Sequence, residues 1–176
     1  MKGHTREVSS LQFAPDGKTL ATGSGDGSIK LWDLGLARER LTLHVPTGGV
    51  TSVAFSPDGK IVAAGTGGFR ARGDVILWQT DTGKVQYVLR GHEHQVTGVA
   101  FAPDGKTVAR SSYDKTVIIW DLATEKAIAT LVGHPGEVHA LAFSQDGKIL
   151  ASVSNGSEGT VRLWDVAKAL QRKPGE

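Results

Sequence analysis

Apolar and polar positions alternate along this chain in short runs, broken by clusters of Gly, Asp and Pro. A period of two in β-branched stretches predicts strands rather than helices. Four runs share the form V-x-x-[VL]-x-F: VSSLQFAPDGK (8–18), VTSVAFSPDGK (50–60), VTGVAFAPDGK (96–106) and VHALAFSQDGK (138–148). Each closes on a turn. Proline presets the first turn position, Asp suits the next, and Gly takes the left-handed position that closes a hairpin. A second strand follows as TLATGS, IVAAGT, TVARSS or ILASVS. The third ends in tryptophan: IKLWD (29–33), VILWQ (75–79), VIIWD (117–121) and VRLWD (161–165). A fourth is expected at RLTLHV (40–45), KVQYVLRG (84–91) and KAIATLVG (126–133), and only VAKALQRK near the C-terminus reads as a helix. In the first strand Val8, Ser10 and Gln12 alternate with Ser9, Leu11 and Phe13. Small or apolar residues on both faces predict a sheet packed on both sides.

The spacing shows that these runs are four copies of one unit. From Trp32 to Phe55, Trp78 to Phe101 and Trp120 to Phe143 the distance is 23 residues each time. From phenylalanine to the next tryptophan it is 19, 23, 19 and 21, so all length variation lies in one place. A Gly-His pair recurs at Gly3–His4, Gly91–His92 and Gly133–His134. Small four-stranded sheets repeating every 40–45 or so residues describe propeller blades.

The GH…WD unit resembles the WD-repeat family of β-propellers over residues 3–166. The resemblance implies an all-β fold of four WD-repeat blades (about 3–45, 46–91, 92–133 and 134–166) and a tail at 167–176. Each blade would have four antiparallel strands, the last blade three. The resemblance also implies a structural tetrad in each blade. The members are the His of GH, a Ser/Thr of the second strand, the acid six positions before tryptophan, and the tryptophan. Blade one matches with His4, Thr22, Asp26 and Trp32, and blade four with His134, Ser152, Glu158 and Trp164. Blade three has His92, Asp114 and Trp120, with Arg110 at the hydroxyl position and Ser112 on the same face as a substitute. Blade two keeps only Trp78. Such polar groups on apolar strands need partners when buried, and a closed network satisfies them together.

Composition narrows the function. The 176 residues suffice for one domain, and a net charge of +2 is too small to argue for nucleic acid. There is no cysteine, so disulfides and thiolate metal sites are impossible. No apolar run approaches membrane-spanning length, and a cytoplasmic chain with no membrane partner is expected. The sequence lacks a G-x-S-x-G elbow, a P-loop, a dinucleotide fingerprint and a calcium loop. No enzyme, cofactor or metal is expected. His92-Glu93-His94 is an H-x-H, but the repeat positions of its histidines favour a structural role. His139 shares a first-strand column with Ser9, Thr51 and Thr97 and is expected to line rather than ligate.

Rings of the resembled family usually hold seven or eight blades, and LQRKPGE (170–176) is a poor outer strand. Three readings stand: a piece of a longer propeller, a half-ring pairing with a second copy into an eight-bladed dimer, or a small ring closing alone. The family resemblance implies a platform for a protein or peptide partner, docking on the GH and second-hairpin loops. The alternative is a regulatory or sensor module of a larger kinase or protease. Candidate contact residues are Arg6, Phe69, Arg70, Arg72, His94, Arg110 and Tyr113, with an acidic or aromatic partner favoured by Arg70 and Arg72. Arg72-Gly73-Asp74 spells an adhesion tripeptide. Aligned on tryptophan it is instead a hairpin turn, with Arg72 in the acidic position and Gly73 as the turn glycine.

Overall fold

The computed structural model describes residues 1–68, 72–156 and 159–171. Among these residues, fifteen strands form four antiparallel sheets in chain order. Blade one is β1 (Val8–Phe13), β2 (Thr19–Ser24), β3 (Ser28–Asp33) and β4 (Arg38–His44). Blade two is β5 (Gly49–Phe55), β6 (Ile61–Gly67), β7 (Val75–Gln79) and β8 (Val85–Leu89). Blade three is β9 (Val96–Phe101), β10 (Thr107–Ser112), β11 (Val117–Asp121) and β12 (Lys126–Leu131). Among the described residues blade four has β13 (Val138–Phe143), β14 (Ile149–Ser154) and β15 (Thr160–Asp165), followed by α1 (Val166–Gln171). The helix is short, and no helix among the described residues is long and apolar enough to cross a membrane.

The turn chemistry behaves as the sequence implies. Gly17 has φ 66°, its N–H donates to Ala14 O at 2.9 Å, and Asp16 Oδ1 accepts from Lys18 N at 2.8 Å. The period-two alternation misses one device. Every first strand slips register near its start, as between Val8 and Ser10 or Val50 and Ser52. This bulge puts Val8 on the side of Leu11 and Phe13. It also lifts Ser9, Thr51, Thr97 and His139 out of the ladder.

The core lies between blades. One face of blade one gives Ala21, Ile29, Leu31 and Leu43, which pack on Val53, Phe55, Val62, Ala64, Ile76 and Trp78 of blade two. Blades two and three repeat the seam with Ala63, Val75, Leu77 and Leu89 against Val99, Phe101, Val108 and Trp120. Blades three and four repeat it again with Ala109, Val117, Ile119 and Leu131 against Leu141, Phe143, Leu150 and Trp164.

The four sheets form an open arc. Neighbouring first strands meet as β1 with β5, β5 with β9 and β9 with β13, whereas β13 and β1 do not close the circle. The reading of a small ring closing alone is therefore corrected. Closure would bury both end faces, but Leu11 and Phe13 of blade one are 61% and 58% exposed, and Val161 and Leu163 of blade four are 68% and 70% exposed.

Candidate functional site

The histidine networks determine which polar groups are free to act. In blade one, His4 Nε2 meets Thr22 Oγ1 at 2.7 Å, and Trp32 Nε1 donates to the same oxygen at 2.8 Å. His4 Nδ1 lies 3.1 Å from Asp26 Oδ2. Burial pushes the Asp26 carboxyl up, but hydrogen bonds from Ser28, Thr5 N and His4 outweigh it and hold the group well below the usual carboxylate range. In blade four, Ser152 Oγ joins His134 Nε2 at 2.6 Å and Trp164 Nε1 at 2.8 Å. Ser154 Oγ takes the imidazole's other side at 2.8 Å, and Glu158 lies outside the described residues.

Blade three departs from this plan. His92 Nδ1 pairs with Asp114 Oδ2 at 2.7 Å, but His92 Nε2 and Trp120 Nε1 are buried without a partner among the described residues. The substitute expected at Ser112 does not form. Its hydroxyl donates to His94 O at 3.3 Å and accepts from Asp114 N at 3.1 Å, which places it in the hairpin. Arg110 is fully buried, so it is corrected from a partner-facing residue to a structural one. Its guanidinium donates to Leu89 O at 2.7 Å and Arg90 O at 2.6 Å, and sits 5.0 Å from the Trp120 ring centroid. Burial lowers its pKa to about 10, against the opposing pull of Asp74 and Asp114. In blade two, Trp78 is buried and Ala64 holds the hydroxyl position. His92 and His94 do not converge as ligands, because one ring is buried on Asp114 and the other side chain is exposed.

Polar and aromatic side chains gather at the mouth of the first strands. An open concavity of about 410 Å³ lies there, at the ends of β1, β5, β9 and β13. Arg6, Gln95, Tyr113 and His139 line it, together with Ser9, Thr51 and Thr97 from the bulged column. Two candidates from the sequence, Arg6 and Tyr113, thus meet. His139 was read as a lining residue from its repeat column and does line the concavity, with its ring edge-to-face on Tyr113 at 5.4 Å. Gln95 was not singled out. Its repeat position, just before the first strand, was the available signal.

Arg72 and His94 belong to a neighbouring patch. Gly73 N donates to His94 O at 3.1 Å, and Arg72 Nη2 pairs with Glu93 Oε2 at 3.2 Å, both side chains being exposed. Gly73 is not the left-handed turn glycine that the alignment suggests. It is buried, and a Cβ there would lie 2.3 Å from Thr66 O and 2.4 Å from Val96 N, so close packing is what requires glycine. Phe69 and Arg70 lie outside the described residues.

Blades of this topology, with hydroxyl–imidazole–indole networks inside blades one and four and a loop-lined concavity, define a propeller-type repeat protein. The model of the WD domain, G-beta repeat, matches residues 1–33, 38–79, 83–121 and 125–165, and the chain belongs to that family. The matched units end at the tryptophan strand, so each later one starts with the outer strand of the blade before it.

The solved structure of U3-55K superposes with a TM-score of 0.84 at 28% identity, covering 96% of this chain and 51% of that one. Protein Notchless of Drosophila melanogaster is 59% identical over 34 residues, which are 19% of this chain and 7% of that protein. Ribosome biogenesis protein BOP1 of Mus musculus is 47% identical over 49 residues, 28% of this chain and 6% of that protein. The chain therefore spans less than a tenth of these curated relatives and about half of the U3-55K chain.

Proposed function

We propose that the chain is a non-catalytic interaction platform that takes a protein or peptide on the concavity around Arg6, Gln95, Tyr113 and His139. The observation that carries this reading is the concavity itself. It joins Arg6 and Glu7 of blade one, the Gln95 amide and Tyr113 of blade three, and His139 of blade four, whose ring meets Tyr113 edge-to-face. Rigid sheets holding varied side chains at their rim suit recognition, and Arg and Tyr are the types that dominate interface energies. Arg72 and His94 extend the surface on the blade-two side, and Phe69 and Arg70, outside the described residues, stay candidates from the sequence alone. Affinity purification with wild type and an Arg6→Glu/Tyr113→Ala variant tests the site. Selective loss of partners with unchanged melting is expected, and equal recovery from both discards it. The cytoplasmic placement remains part of this proposal.

We further propose that the exposed end faces meet a second copy, head to tail. The two faces are halves of a seam that the chain already builds between its own blades. Ala151, Val161 and Leu163 repeat Ala63, Val75 and Leu77 of blade two, and Leu11, Phe13 and Leu20 repeat Leu141, Phe143 and Leu150 of blade four. Light scattering after size exclusion checks it, with a stable monomer at micromolar concentration as the contrary result. Further blades of a longer chain are the other way to cover the same faces.

A further inference from the structure

Asn155 is the single asparagine of the sequence, and Gly156 follows it. The pair lies directly after β14, and both residues are exposed. The main-chain rung at this place belongs to the repeat. Asn155 N donates to Glu137 O at 3.1 Å, as Gly25 N donates to Glu7 O at 3.0 Å in blade one and Tyr113 N to Gln95 O at 3.3 Å in blade three. Glycine, tyrosine and asparagine all serve in this column, so the rung does not require asparagine. What the asparagine side chain adds is a bond from Nδ2 to Glu137 Oε2 at 3.0 Å.

Asparagine is a thermolabile residue, because the main-chain nitrogen that follows it can attack its carboxamide carbon. A glycine in that following position has no side chain to obstruct the approach. Gly156 also has φ 155°, a conformation that residues with a Cβ rarely adopt. The sequence thus places its one asparagine on an exposed turn, before the residue that shields it least.

We propose that Asn155-Gly156 is a site of spontaneous deamidation, which turns a hydrogen bond at the rim of blade four into a pair of like charges. Gly156 N bonds to Asn155 Cγ as the Cγ–Nδ2 bond breaks, and the proton of Gly156 N leaves with Nδ2 as ammonia. Water then opens the cyclic imide. Cleavage between Cγ and the nitrogen gives aspartate. Cleavage between the main-chain carbonyl carbon and the nitrogen gives isoaspartate, whose chain runs on through the side chain. Water is the only co-reactant.

Glu137 governs both the rate and the consequence. Before the reaction its carboxylate accepts from Nδ2 and holds the carboxamide back from Gly156. Afterwards a second carboxylate faces it with no N–H to bridge them, and like charges set opposite each other on paired strands repel. The loosening begins one residue from Ser154, whose hydroxyl meets His134 Nδ1 in the blade-four network. None of this depends on what the concavity binds, so the site and the platform reading can fail separately.

The whole folded chain, held in warm buffer at neutral and at mildly alkaline pH, is the sample. Ammonia release and peptide mapping by mass spectrometry follow it. One acidic species is expected to grow with first-order kinetics, faster at alkaline pH, and to resolve into aspartate and isoaspartate forms of the peptide that holds residue 155. Glu137→Ala frees the carboxamide and should speed the reaction roughly tenfold, the scale of one net hydrogen bond. Asn155→Gln would have to close a larger ring and should stay unmodified. Amide exchange at residue 155 should rise in the isolated acidic species and in Asn155→Asp. A folded chain that keeps its carboxamide while the urea-unfolded chain loses it overturns the proposal, because the fold then shields the pair. An unchanged rate in Glu137→Ala, or an acidic species whose exchange matches that of the starting chain, overturns the part given to Glu137.

Discussion

At the scale of single residues, one oxygen decides whether a blade's polar network closes. Thr22 and Ser152 each accept an indole N–H and meet an imidazole nitrogen, whereas Arg110 cannot accept the Trp120 N–H because it only donates, and its N–H groups go to Leu89 O and Arg90 O rather than to His92. Arg110→Thr should therefore stabilise the chain by about 1–2 kcal/mol. It gives His92 and Trp120 a partner and removes a buried cation, against the loss of two bonds to carbonyls. A raised urea midpoint at unchanged slope is the readout. Thr22→Val should act in the opposite direction by about 2 kcal/mol, because it orphans His4 and Trp32 together.

His134 also sets a pH dependence. Burial, helped by the charge of Arg162, lowers the pKa of His134. The unfolded chain then takes up that proton first, so stability is complete above about pH 6.5 and drains as pH falls through that value. Asp26 and Asp114 are held low in the fold, so their contribution is complete above about pH 4 and is lost below it. Urea midpoints between pH 8 and 5 should fall for wild type and stay flatter for His134→Gln.

At the scale of elements, the hairpin containing Arg72-Gly73-Asp74 shows how a loop motif becomes a joint between blades. Thr66 Oγ1 donates to Asp74 O at 3.1 Å and accepts from Asp74 N at 3.0 Å, and Gly73 reaches across to His94. Gly73→Ala should cost about 1–3 kcal/mol, because its Cβ would meet backbone rather than a yielding side chain. Arg72→Ala should stay within about 0.5 kcal/mol, since it breaks only an exposed pair. Paired thermal melts separate the two. The strands, their register on tryptophan and the positions of His4, Thr22, Asp26 and Trp32 were legible in the sequence because repeated spacing fixes them, whereas Ser154 as a partner of His134 was not. The bulge was not legible, because an extra residue leaves the apolar pattern intact over so short a run. Nor was the fate of Arg110, whose reach to β8 depends on the neighbouring blade's backbone. The concavity was half legible: Arg6 and Tyr113 were found as loop residues, but Gln95 came to it only through the packing of successive first strands.

At the scale of the whole molecule, two exposed end faces can belong to one seam or to two unrelated surfaces, and a mixing experiment separates these cases. Phe13→Glu puts a charge on the blade-one face, and Leu163→Glu puts one on the blade-four face. Both side chains are more than half exposed, so neither change should unfold an isolated chain. A closed pair of copies has two identical seams, each joining a blade-four face to a blade-one face. Each variant alone spoils both seams and should run at the 18.6 kDa of one chain, against twice that for wild type. An equimolar mixture regains one seam, between the intact blade-four face of Phe13→Glu and the intact blade-one face of Leu163→Glu. Sedimentation should then show a mixed dimer that neither variant forms alone, weaker than wild type because only one of two seams holds it. If the end faces serve different partners, mixing restores nothing. If wild type is itself monomeric and the variants match it, neither face belongs to a contact between copies of this chain.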